Sequence, residues 1–213
     1  MDRISGSAVR CLPVTDAGSS GPPGLRKDAA RNRRRILEAA RALVREGLPI
    51  QLNPVAQRAE VGVGTVYRHF PTSEALVEAL AADQFTALIT LAEQAAEAAD
   101  IAAALRSYLR TSLTAYLRDE AFASAVVDPH PVTPDIQRLR QRLQQVTGEL
   151  LARTADDKGL HPSLTAADMM LLLCGVGFAI RHAPDRDDPA LADRYLDALL
   201  DGALTRRGRT APS

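Results

Sequence analysis

Tryptophan is absent from the 213 residues, and tyrosine and phenylalanine number only four each. So few aromatics, in a chain dominated by alanine and leucine, exclude a sheet rich in β-branched and aromatic residues and favour close-packed helices. An all-α protein is expected. Two cysteines, Cys11 and Cys174, are too few and too far apart for a disulfide framework or a metal knuckle. No secretory pattern precedes them, so a cytoplasmic location is expected. Long apolar runs are missing as well. The longest, Met169 to Ile180, falls short of the ~20 residues that span a bilayer, and no membrane anchor is expected. Nor is there an excess of charge, since 26 Lys and Arg balance 26 Asp and Glu.

That balance conceals a split. Residues 1–80 hold 12 basic against 8 acidic side chains, and the remainder holds 14 against 18. A basic N-terminal part suits contact with nucleic acid, and it equally suits a solvated face.

Residues 1–24 mix Gly, Ser and Pro without apolar periodicity and are expected to form a disordered arm, as are residues 206–213 at the other end. Ile36, Leu37, Ala40, Leu43 and Val44 recur at helical spacing, which predicts a first helix over Leu25–Arg45 with Gly47 as its stop. Asn53 and Pro54 predict the start of a short second helix, about Leu52 to Ala59. A tight turn at Glu60–Gly62 leads into the stretch VGVGTVYRHF, Val61 to Phe70. At ~100° per residue Val66 and Phe70 share its inner face, while Gly64, Thr65 and Arg68 point outward with Tyr67 and His69 beside them. Pro71 stops this helix, and Thr72 caps a long fourth one over Ser73–Ala98. Two amphipathic helices follow, one over Ile101–Leu117 and one over Ile136–Leu150. VDPHPVTPD separates them. A helix from Thr165 through Ile180 is apolar on almost every side, and a last one covers Ala190–Leu204.

A short helix, a tight turn and a second short helix are the parts of a helix-turn-helix, whose second helix enters the major groove. Glycines at 62 and 64 permit close approach of backbone to DNA, Thr65 offers a hydroxyl and a methyl, and Tyr67 and His69 offer donors to phosphate. In GTVYRHFPTSEAL, preceded by RRRILEAARALVREG and VAQRAEV, the chain resembles the TetR family of one-component transcriptional regulators. The resemblance implies an N-terminal DNA-binding domain, residues 25–72, and a helical effector-binding and dimerisation domain, residues 73–205. It implies that Val63, Gly64, Thr65, Tyr67 and His69 meet bases or phosphates of double-stranded DNA, with Arg68 outward and variable. Arg33, Arg34 and Arg35 are candidate phosphate partners. The sequence departs from the family's pattern at Gly62, which weakens the helix cap, at Glu60, where a glycine is more usual, and at Ser73, where a phosphate-binding lysine often stands. The C-terminal half loosely resembles an actinobacterial-type branch.

The all-round apolar helix must be buried on several faces. Either it is the centre of a monomeric bundle or a partner chain supplies the cover. The family analogy favours a homodimer built from Met169, Leu172, Val176 and Phe178 with Tyr195, Leu196 and Leu199, the geometry a palindromic operator requires. It also places a small-molecule effector, apolar or amphipathic, among the middle helices, where Tyr108, Tyr116, Phe122 and Arg110 are the candidate contacts. No catalytic residue, metal or cofactor is expected, because no HExxH or CxxC occurs and VGVGTV lacks the strand and third glycine of a dinucleotide fingerprint. The expected function is that of a repressor released from its operator by an effector. The alternative is a ligand-binding or protein-interaction module of the same fold that has lost sequence-specific DNA binding.

Overall fold

The computed structural model describes residues 23–154, 158–161 and 164–206. The expected arm and tail lie outside them, except that Pro23 and Gly24 open the first helix and Arg206 ends a strand. Among the described residues the fold is all-α apart from one two-stranded ribbon.

Helix α1 spans Pro23–Arg45 and buries Ile36, Leu37, Ala40 and Leu43. It stops at Gly47, whose φ of +71° lies in the left-handed region that glycine enters without a Cβ penalty. Helix α2 spans Leu52–Arg58. Its N-cap is Gln51, which makes no side-chain cap bond, and Asn53, the expected cap, lies inside the first turn. Helix α3 spans Val63–His69. Between α2 and α3, Glu60 takes φ +51°, a conformation that costs a residue with a Cβ about 1 kcal/mol. The Glu60 carboxylate accepts a hydrogen bond from Arg35 Nη2 at 3.0 Å, which ties the turn back to α1.

Helix α4, Ser73–Ala96, joins two hydrophobic cores. Thr72 caps it as expected, its Oγ1 accepting the Ala75 N–H at 3.1 Å. Leu76 and Leu80 pack into the first core with Ile36, Val55, Val66 and Phe70. Further along the same helix, Phe85, Leu88 and Ala92 pack into the second core with Leu109, Leu143 and Leu173. By length and composition alone α4 would pass for a membrane span, yet half of that stretch is buried in this fold.

The second core collects α5 (Ile101–Arg118), α6 (Glu120–Val127), α7 (Pro134–Arg153), α8 (Ala166–His182) and α9 (Leu191–Ala203). The sequence reading contained no α6. Asp119 both ends α5 and caps α6, its Oδ1 accepting the Phe122 N–H at 2.9 Å, so the chain bends at one residue instead of looping. The ribbon is also an addition: β1 (Lys158–Leu160) pairs antiparallel with β2 (Leu204–Arg206), Gly159 opposite Thr205.

Helix α8 starts with a capping box. Thr165 Oγ1 accepts the Asp168 N–H at 3.2 Å, and the Asp168 carboxylate accepts the Thr165 N–H at 2.8 Å. The inner face of α8 meets α5 at Gly177, where an added Cβ would stand 2.3 Å from Tyr116 Cδ1. Arg181 lies over the Tyr116 ring at 4.9 Å and donates to the Tyr116 carbonyl, so the ring has little room to retreat. Gly177→Ala is therefore expected to lower the melting temperature. Overlap of this kind costs about 1–3 kcal/mol, more than the ~1 kcal/mol that alanine gains over glycine in a helix. Gly202→Ala in α9, where a Cβ meets nothing within 4 Å, is expected to raise it. Thermal unfolding of the two variants side by side checks both signs.

Candidate nucleic-acid interface

Helix α3 is too short to be stable alone and is held by what it buries. Val66 is fully enclosed and Phe70, just past the C-terminal end, is almost so. These two side chains fix the helix rotation, and the rotation leaves Val63, Gly64, Tyr67 and Arg68 exposed on the outer side. Val63 is 42% exposed and Tyr67 is 48% exposed, unusual values for large apolar and aromatic side chains. Thr65 and His69 are half-buried at the flanks. Gly62 is the N-cap and supplies no side-chain bond, as its lack of a hydroxyl dictates. The Thr65 N–H instead reaches the Gly62 carbonyl at 2.8 Å. Helix α3 carries no carboxylate, and Arg68 and His69 occupy its last turn.

The three candidate arginines of α1 part company. Arg33 places its guanidinium 5.5 Å from the centre of the Phe70 ring, at the C-terminal end of α3. Arg35 reaches Glu60 in the turn before the N-terminal end, so these two bracket α3 from either side. Arg34 leans along its own helix toward Glu38 at 3.7 Å, an exposed pair that water largely screens.

The candidate effector contacts are not gathered round an open space. Tyr108 is buried and its hydroxyl lies 2.6 Å from Thr147 Oγ1. Burial pushes its phenol pKa up, against the opposing pull of hydrogen bonds with Thr147 and Ser112. Phe122 stands edge-on to Phe85 with centroids 4.9 Å apart, and Tyr116 lies against α8 at Gly177, with Arg181 over its ring. Arg110 forms an ion pair with Asp193 of α9 at 2.8 Å, on the outside of the bundle.

Of the candidate dimer residues, Met169 and Leu196 are fully buried within the protomer and leave the set. The apolar character of α8 does not extend inward all round. One face packs into the second core through Met169, Leu173, Gly177 and Ile180, and the other is bare. Leu171, Leu172 and Phe178 are 58%, 41% and 59% exposed. Val176, Tyr195 and Leu199 are half-buried along an open groove of about 800 Å3 between α8 and α9. Cys174 faces the packed side, where burial pushes its thiol up to about 11, a value at which it stays protonated and unreactive. Cys11 lies outside the described residues.

Comparison with known proteins agrees with this geometry. Residues 36–80 match the model of the bacterial regulatory proteins of the tetR family, and residues 100–204 match that of the transcriptional regulator SbtR-like C-terminal domain. The HTH-type transcriptional repressor KstR of Rhodococcus jostii is 45% identical over 69 residues, 30% of this chain and 32% of that protein. The match thus spans about a third of that relative. A TetR transcription regulatory protein from Mycobacterium vanbaalenii is 30% identical with a TM-score of 0.50, over 85% of this chain and 99% of its own. The fold is also that of Thermus thermophilus FadR, a repressor solved in complex with lauroyl-CoA, at 22% identity and TM-score 0.58 over 85% and 99% of the two chains. With the helix-turn-helix and the helical half each matched by a model of the same lineage, this chain belongs to the TetR family of bacterial transcriptional regulators.

Proposed function

We propose that the protein represses transcription by binding a palindromic operator as a homodimer and that a small effector releases it. The observation that carries this reading is the outer row of α3. Val63, Gly64, Tyr67 and Arg68 are exposed together on a carboxylate-free helix whose rotation Val66 and Phe70 fix. In the reading, Val63 and the Thr65 methyl lie against thymine methyl groups, Tyr67 and His69 donate to phosphates, and Arg68 adds charge or a guanine contact. Arg33 and Arg35 reach the backbone on either side, Arg35 by exchanging Glu60 for a phosphate. The bare face of α8 and the groove beside α9 take a second protomer, which sets two α3 helices ~34 Å apart in successive major grooves. A cytoplasmic location goes with the DNA target.

The effector is assigned to the second core beside Tyr108, Tyr116 and Phe122. FadR with lauroyl-CoA lends support to an apolar or amphipathic compound. Because the three rings are packed, its entry displaces them and moves α4, whose other end is fixed in the first core. A difference of ~1–3 kcal/mol between the two states gives a useful switch.

Two features favour the alternative, a module without sequence-specific DNA binding: Val63 offers no hydrogen bond to a base edge, and α3 lacks a side-chain cap. Selection from a random DNA pool with the purified protein, repeated with Tyr67→Ala, separates the two. A palindromic consensus that the variant binds ~5- to 150-fold more weakly is expected, the effect of one contact worth ~1–3 kcal/mol. Equal enrichment by both proteins, or binding that depends only on salt, would sink the operator reading.

A further inference from the structure

Helix α2 ends in a Schellman motif. The Val61 N–H reaches the Ala56 carbonyl and the Glu60 N–H reaches the Gln57 carbonyl, both at 3.1 Å, which puts Glu60 at the left-handed position that glycine ordinarily takes. Its φ of +51° is the one positive value at a residue other than glycine among the described residues. The ion pair with Arg35 does not account for the strain. The Glu60 side chain is 83% exposed and that of Arg35 38%, and a pair so open to water returns no more than the backbone conformation costs. On stability alone glycine would serve as well. A strained residue that the fold does not need points to function.

The carboxylate stands where charge matters. Glu60 is the only acidic residue between Glu46 and Glu74, the stretch that holds α2, the turn and α3. Its partner comes from α1, Arg35 Nη2 donating to Oε2 at 3.0 Å, so one of the two arginines that bracket α3 is already engaged. A phosphate oxygen would accept the same charge-assisted bond. We propose that Glu60 is a built-in rival of the DNA phosphate for Arg35 and that it sets specificity by lowering affinity for DNA of arbitrary sequence. On such DNA, where phosphate contacts supply nearly all of the binding, the pair stays closed and Arg35 releases no counterion. A sequence that seats α3 in its groove brings the phosphate close enough to take the guanidinium over. Arg35 then becomes a contact made only with the right sequence. The inference rests on the reading of α3 and Arg35 as the DNA face.

The test titrates a labelled duplex of arbitrary sequence into the full-length protein over a series of salt concentrations. Wild type, Glu60→Gln and Glu60→Gly are compared, each with and without Arg35→Ala. Glutamine keeps the side chain and the backbone strain and removes only the charge, whereas glycine removes all three. Both variants are expected to bind roughly 3- to 10-fold more tightly and to steepen the fall of log K with log salt by about 0.9, the release from one more phosphate. Arg35→Ala is expected to cancel that gain, a coupling that independent sites would not show. Glycine is expected to raise Tm as well, and a Glu60 with a purely structural role would move Tm and leave the salt slope alone. An unchanged slope in Glu60→Gln, or a gain that survives Arg35→Ala, overturns the proposal. A second arm repeats the titration on the selected operator, where a smaller gain than on arbitrary DNA is expected and an equal gain overturns the role in specificity. If arbitrary DNA behaves as described and no consensus is selected, the rivalry for Arg35 stands and its part in specificity falls with the operator reading. A consensus together with an unchanged salt slope does the reverse.

Discussion

On the proposed homodimer, Leu172→Glu combined with Phe178→Glu is expected to leave a monomer at micromolar concentration and to lower affinity for the proposed operator by two or more orders of magnitude. Both side chains project from the bare face of α8. Phe178 is stacked on His182 of the next turn with centroids 4.1 Å apart, so it forms a rigid apolar surface. In an isologous interface each substitution appears twice, so closing it would enclose four unpaired carboxylates. A buried carboxylate without a partner costs several kcal/mol, more than a dimer contact of ordinary affinity recovers. Operator binding then falls because each half-site must be captured separately. The same substitutions should leave the helical circular dichroism intact, since neither residue belongs to the core of the protomer. Sedimentation velocity and a gel shift read the two effects, and a variant that remains dimeric would remove α8 from the interface.

Phe85→Ala is expected to destabilise the protein by about 3–5 kcal/mol, the range for emptying a fully buried phenylalanine. The ring is completely enclosed in the second core and stands edge-on to Phe122 at 4.9 Å. Its loss leaves Phe122 without its aromatic partner and opens a void between α4 and α6. Domains typically have 5–15 kcal/mol in total, so the variant should melt far below the wild type and unfold at much lower urea. A loss under about 1 kcal/mol would mean that α6 collapses into the space, which places the packing of α6 among the softer parts of the core.

What the sequence announced was mostly local chemistry. Gly47, Thr72 and Thr165 each end or begin a helix through bonds within a few residues, and all three perform as read. The period that puts Val66 and Phe70 inward holds for the same reason. What was hidden depends on partners far along the chain. Nothing near Tyr116 signals that it lies against Gly177, and a list of aromatic residues in the middle helices does not distinguish packing from pocket lining. The apolar length of α8 says how much surface needs cover and not which face receives it, and the same holds for the apolar stripe of α9, so Met169 and Leu196 read as interface residues although both are buried within the protomer. Helix α6 escaped notice because eight alanine-rich residues carry little periodicity. Its one local signal was Asp119 followed by Glu120, a cap and a first-turn acid at the end of a neighbouring helix.

The position of α4 in both cores has a consequence for how the molecule comes apart. Leu76 and Phe85 sit on one continuous rod, so opening the N-terminal core frees one end of a helix that the other core still grips. The small N-terminal core therefore draws its cooperativity from the large one. Amide hydrogens of α2 and α3 should exchange more slowly than a bundle of that size permits by itself, and their protection should rise whenever anything tightens the far end of the rod.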